Sequence, residues 1–217
     1  RNREVTKYAE ATAQLEKVVA MDPNVAPGWA TLSVAANFGI FHEAAARAAE
    51  KGQGKATLAS AEDQAGQPEK YARRAIALAP NLAAAYAALG FALDGKGPTA
   101  RAALRRAIAL DPNDVEAMNW LAGSLDAEHE RAERIKLFSK IIEIEPLWWP
   151  AVLNRLSMFL DVGDFAEGQR ERKRLEGLGS PLLAAMVEIE TASAKGEVSK
   201  AARLGVKVFK AMSPEER

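Results

Sequence analysis

Apolar positions recur along this chain in runs that end on proline. Asp22-Pro23-Asn24, Ala79-Pro80-Asn81, Asp111-Pro112-Asn113 and Glu145-Pro146-Leu147 each follow such a run. Proline cannot continue a helix and pushes its predecessor out of the α region, so a helix stops at each, and the neighbouring Asn is placed to cap the next. The later intervals between these prolines lie close to a 34-residue period, and the first is longer by an insertion. Eight residues before each proline stand Leu15, Ala72, Leu104 and Phe138; five before stand Val18, Ala75, Ala107 and Ile141; twelve before stand Ala11, Pro68, Ala100 and Arg134. Offsets of three and four lie on one helical face, so each stretch predicts an amphipathic helix. The helix preceding each of these repeats as Trp29-x2-Leu32-Ser33-x2-Ala36, Tyr86-x2-Leu89-Gly90-x2-Leu93 and Met118-x2-Leu121-Ala122-x2-Leu125. The small residue in the middle lets a paired helix approach closely.

Composition agrees with an all-α chain. Alanine, the best helix former, is abundant and β-branched residues are sparse. With 217 residues there is enough chain for a sizeable core. No window is long and apolar enough to span a bilayer, and Arg1-Asn2-Arg3-Glu4 opens no signal peptide. The absence of an initiator Met suggests a fragment or a processed product. There are 29 basic and 29 acidic side chains, two His and no Cys. Zero net charge argues against a dedicated nucleic-acid or membrane-surface binder. Zero Cys removes disulfides, thiol nucleophiles and thiolate metal sites, and leaves the compartment open.

The repeated residues resemble the tetratricopeptide repeat (TPR) family, whose pattern is W-x2-L-G-x2-Y, then A-x3-F, then P. Tyr86, Leu89, Gly90, Leu93, Ala100, Leu104, Ala107 and Pro112 match best. The resemblance implies a right-handed α-solenoid of antiparallel helix pairs, about five repeats with one insertion. Its divisions fall at 4–21 (a half repeat), 26–80 (with an insertion at about 38–67), 83–112, 115–146, 149–178 (degenerate) and 181–211 (a C-terminal capping pair). In the insertion, Phe38-Gly39-Ile40-Phe41 ends the Trp29 helix. Gly52-Gln53-Gly54 breaks a further helix, and Gly66-Gln67-Pro68 starts the helix that ends at Ala79.

The candidate chemistry is thin. Gly52-Gln53-Gly54-Lys55-Ala56-Thr57 is superficially similar to a phosphate-binding loop, but lacks the earlier Gly (Ala49 stands there) and the Ser or Thr after Lys. His42-Glu43 lacks the second His of a zinc motif, and His129 sits in an inter-helix turn among Glu128, Glu130 and Glu133. The carboxylates fall in caps, turns or solvent-facing positions, whereas an acid or base needs a water-excluding pocket. No metal, cofactor or catalytic residue is expected.

The resemblance implies instead that the first helix of each pair lines a groove. Its ligand-facing places fall on Pro27, Ala30, Val34 and Asn37; on Ala84, Ala87, Phe91 and Asp94; on Glu116, Asn119, Gly123 and Asp126; and on Pro150, Leu153, Ser157 and Asp161. No Lys or Arg stands among them, so a clamp for a peptide carboxylate is not expected. The expected groove takes an apolar or basic segment of another protein or peptide. Its candidate contacts are Asn37, Phe91, Asp94, Glu116, Asn119, Asp126, Trp148, Leu153 and Asp161. Of the adjacent Trp148 and Trp149, Trp148 is expected to be the more exposed.

Charge is segregated: residues 67–110 are net basic and 111–165 net acidic. Arg73-Arg74 and Arg105-Arg106 would stack into a basic outer ridge. Lys200, Arg203, Lys207 and Lys210 form a stripe on the last helix, whose expected role is to keep the stack soluble. The expected partner is a protein, with no direct nucleic-acid contact and no membrane insertion; self-association through an end of the stack is possible. The rival reading is a sensory or regulatory C-terminal region of a larger signalling protein. A looser resemblance to TPR regions of bacterial winged-helix regulators and class III nucleotide cyclases suggests it.

Overall fold

Each helix that the prolines were expected to stop does stop there. Asp22 accepts the Asn24 backbone N–H at 2.9 Å, and Asp111 accepts that of Asn113 at 3.0 Å, so the Asp-Pro-Asn triplets close on themselves as Asx turns. The first helix of the next pair then reaches back. Trp29 Nε1 donates to the Pro23 carbonyl and the Tyr86 hydroxyl donates to the Pro80 carbonyl, both at 3.0 Å. The asparagines do not cap the helices that follow. Those helices begin one residue too late for that: Leu82 occupies the cap position of one with no side-chain bond, and Asp114 caps another by accepting the Ala117 N–H.

The computed structural model describes residues 3–51, 59–95 and 97–211, and the side chains of 7–42, 66–95 and 97–210. Every regular element among the described residues is an α-helix. The chain divides into two compact units, residues 1–124 and 125–217. The first holds α1 (Arg3–Met21), α2 (Ala26–Lys51), α3 (Ala59–Leu78), α4 (Ala83–Ala92), α5 (Gly97–Leu110) and α6 (Val115–Ser124). Each packs on a sequence neighbour, and α2 also packs on α4, and α4 on α6. This is helix-pair stacking, in which the first helices form one row. Ala72, Ala75, Ala85, Ala88, Leu104 and Ala107 are fully buried between the rows. Gly90 sets the spacing: a Cβ there would lie 2.4 Å from Leu104 Cγ and 3.1 Å from the Ala100 carbonyl.

Three expectations for this unit need correction. The Trp29 helix does not end at Phe41, because α2 runs unbroken through Gly39 to Lys51. A single helical Gly costs only about 1 kcal/mol, and the alanines beyond it restore helix propensity. Nor does the next helix begin at Pro68; α3 starts at Ala59 and carries Pro68 inside it. The buried Ser33 hydroxyl donates to the Pro68 carbonyl at 2.7 Å, which gives a kink-prone site a tertiary partner. The register of α1 also differs, for Val18 is 45% exposed and Val19 is buried. The Gly52-Gln53-Gly54-Lys55-Ala56-Thr57 segment lies outside the described residues.

The second unit holds α7 (Arg131–Ile144), α8 (Trp149–Leu160), α9 (Phe165–Gly177), α10 (Pro181–Ala194) and α11 (Val198–Ala211). Successive helices pack, and α8 also packs on α10. Three of its turns share one device. Gly163, Gly179 and Gly196 take φ of 74–76°, and the next residue's N–H returns to a carbonyl five residues back: Asp164 to Phe159, Ser180 to Leu175, Glu197 to Ala192. That is the Schellman end, which needs a left-handed residue.

Candidate functional site

In the first unit, α2, α4 and α6 border a half-open cavity of about 190 Å³. Its lining is Ala30, Thr31, Val34, Ala84, Ala87, Asp114, Glu116 and Trp120. Five of these (Ala30, Val34, Ala84, Ala87 and Glu116) stand at expected groove positions. Small side chains on α2 and α4 leave the space, and no Lys or Arg borders it. Asp114 sits half-buried at the start of α6. Burial pushes its carboxyl above the ordinary carboxylate value, its bond from Ala117 N–H opposes that, and the nearby Asp111 adds to it.

Beyond the cavity lies a row of rings. Phe91 stacks on Trp120 with centroids 4.4 Å apart and planes within 6°, and Phe38 leans on Phe91 at 4.8 Å. Tyr8 stacks on Phe38 and on His42, at 5.4 and 4.7 Å. Asn37 Nδ2 donates to the Phe91 carbonyl at 3.1 Å, tying α2 to α4. Phe91 and Asn37 thus help hold α2, α4 and α6 together. Asp94 is exposed and takes a left-handed φ of 56° just past α4, where short polar side chains are tolerated. Asn119 is half-buried beside Trp120. Trp120 and Asp114 were missed by the sequence reading. Trp120 lies four residues after Glu116, on the same face, which is the signal that could have found it.

In the second unit, Asp126 opens the turn before α7. It accepts backbone N–H groups from Glu128 and His129, and meets His129 Nδ1 at 2.8 Å. The His129 backbone bond leads in holding its carboxyl down at about 2. Leu153 is half-buried on α8 and Asp161 is exposed at its end. The tryptophan expectation is reversed: Trp149 is 54% exposed, whereas Trp148 is half-buried at the α8 cap. The chain turns between them, and the second Trp starts the helix on its outer side.

The expectation that acids keep to caps, turns and solvent also fails at one place. Glu171 is 3% exposed, paired with Arg155 from α8 and, at 2.8 Å, with Arg174. Glu167 joins them, 3.4 Å from Arg155 and 2.6 Å from Arg170. Burial lowers the pKa of both Arg155 and Arg174, and Glu167 opposes it in each. Of the expected basic ridge, Arg73 pairs with Glu69, Arg74 reaches the Pro23 carbonyl, and Arg106 reaches Asn81 and lies over the Tyr86 ring. Arg74 and Arg106 thus each reach the turn that precedes their own repeat.

No family model and no curated protein matches this chain. Among solved structures it is similar to two of MamA, each 20% identical with a TM-score of 0.47. Each match covers 92% of this chain, and 95% of one MamA chain and 88% of the other. It is also similar to a tetratricopeptide repeat protein from Parabacteroides merdae, at 13% identity and a TM-score of 0.49, over 99% of this chain and 91% of that one.

Proposed function

We propose that this chain is a non-catalytic interaction scaffold whose first unit holds an apolar or basic segment of a partner protein along α2, α4 and α6. The cavity carries this reading. At about 190 Å³ it is smaller than the roughly 300–1,000 Å³ of cofactor pockets, and near the roughly 150 Å³ that accepts a benzene ring. That is room for one side chain of a docked segment. The floor is apolar and two carboxylates border it, which suits an aliphatic stem or a cation. Asn37, Phe91, Asp94 and Asn119 extend the same face in this reading. In the second unit, Asp126, Trp148, Leu153 and Asp161 are the corresponding contacts, and the exposed indole of Trp149 joins them as the kind of anchor interfaces favour. The buried Glu171, held between guanidinium groups, supports packing rather than proton transfer.

The test is a peptide-display selection on the whole chain, with the selected peptides titrated against variants. Ala84 is exposed on the cavity wall, so Ala84→Trp fills the space without disturbing the core. It should abolish binding, and Glu116→Lys should weaken basic peptides roughly tenfold or more. Selected peptides that bind both variants as tightly as the parent would refute the proposal.

A further inference from the structure

The last helix exposes apolar side chains where a capping helix would be polar. Three strips run along α11. Ala201, Leu204 and Val208 form the one that is buried or half-buried, on a helix that packs against α10. A second strip, Val198, Ala202, Val206 and Phe209, advances by four, four and three residues, the spacing of one helical face. It points outward: Val198 is 72% exposed, and Val206 and Phe209 are 55% exposed. Beside it runs the third strip, Lys200, Arg203, Lys207 and Lys210. The helix holds these four cations and no carboxylate. Lys200 pairs with Glu188 and Glu197, at 3.4 and 3.5 Å. Arg203 and Lys207 make no ion pair among the described residues.

We propose that α11 docks this protein peripherally on an anionic lipid bilayer, with Val206 and Phe209 entering the boundary of headgroups and acyl chains and Arg203 and Lys207 meeting lipid phosphates. An apolar strip edged by cations is the arrangement that lies in a membrane interface. Long basic stems can follow the apolar strip inward while their charged ends stay at headgroup level. A fluid bilayer needs no complementary groove, because its anions move to match whatever spacing the cations have. The zero net charge of the chain does not oppose this. Salt screens each charge within about 8 Å, so the local field of α11 decides.

The experiment is co-sedimentation of the full chain with phosphatidylcholine vesicles, and with vesicles that also contain phosphatidylglycerol, at low and high salt. The chain should sediment with the anionic vesicles only, and less as salt rises. R203Q/K207Q should lower that partition roughly tenfold or more. V206S/F209S should also lower it, with the melting temperature checked by circular dichroism. If that pair destabilises the fold, Lys207→Glu alone must still weaken vesicle binding. Equal sedimentation with neutral and anionic vesicles, or indifference to R203Q/K207Q, would overturn the proposal. So would indifference to vesicles alongside tight binding of an amphipathic Leu/Glu peptide through the same residues, which would make this face a protein-docking surface.

Discussion

At the scale of single residues, the fold depends on a few places where size is fixed by backbone contact. Gly90 is one, with its missing Cβ replaced by the Leu104 side chain and the Ala100 carbonyl. Gly90→Ala should cost about 1–3 kcal/mol by overpacking, read as a lower urea midpoint. Asp114 tests a different balance. Its folded pKa lies above the unfolded one, so its contribution is most favourable at low pH and is lost as pH rises through the folded value. Asn caps as well as Asp and carries no buried charge. Asp114→Asn should therefore keep or raise the melting temperature at neutral pH, and flatten its dependence on pH in the acid range. Asp126 has the opposite sign. Its contribution is present above the unfolded carboxylate value and is lost as pH falls through about 2. An NMR titration that places Asp126 at the ordinary carboxylate value would show that the turn around His129 is not formed in solution. The small residues of the candidate groove could be read from the repeat register, because Ala30, Val34, Ala84 and Ala87 keep their places in it. Trp120 shares the helical face of Glu116, so helical spacing placed it there, but its stacking on Phe91 is a tertiary fact that spacing does not contain.

At the scale of helices, sequence and structure agree where the chain is forced and part where neighbours decide. The four prolines stop helices because a missing N–H and a restricted predecessor act locally. Gly39, Gly66 and Pro68 looked like the same kind of punctuation and are not, since helices pass through all three. Ser33, on another helix, supplies the bond at Pro68, and no reading of residues 66–68 alone contains it. The charged stripe of α11 was equally visible in the sequence, but the angle at which the helix packs on α10 was not. That angle decides that Val206 and Phe209 face outward. Glycine gives a paired test of local rules. Gly163 has a φ of 76°, so Gly163→Ala should destabilise by about 1–2 kcal/mol. Gly123 lies within α6, and a Cβ there meets nothing within 4 Å. Gly123→Ala should stabilise by about 1 kcal/mol. Chemical denaturation of both variants should move their midpoints in opposite directions.

At the scale of the whole molecule, the packing is between helices close together in sequence. In the first unit α4 rests on α2, α3, α5 and α6; in the second α10 rests on α8, α9 and α11. A chain built this way has stability that is a sum of local and nearest-neighbour terms, so damage should spread a short distance. Leu104, fully buried on α5, gives a direct measurement. Leu104→Ala should remove about 2–5 kcal/mol from its surroundings. Native-state hydrogen exchange should then show protection falling in α4, α5 and α6, with that of α10 and α11 unchanged. Ser33 and Pro68 lie one step away, so α2 and α3 should lose an intermediate amount. A uniform loss across all eleven described helices would mean that the chain opens as one cooperative body. In that case a ligand in the first-unit cavity would raise protection throughout, and α11 with it. Under neighbour-only coupling, the cavity between α2, α4 and α6 and the outward strip of α11 can each be occupied without changing the affinity of the other.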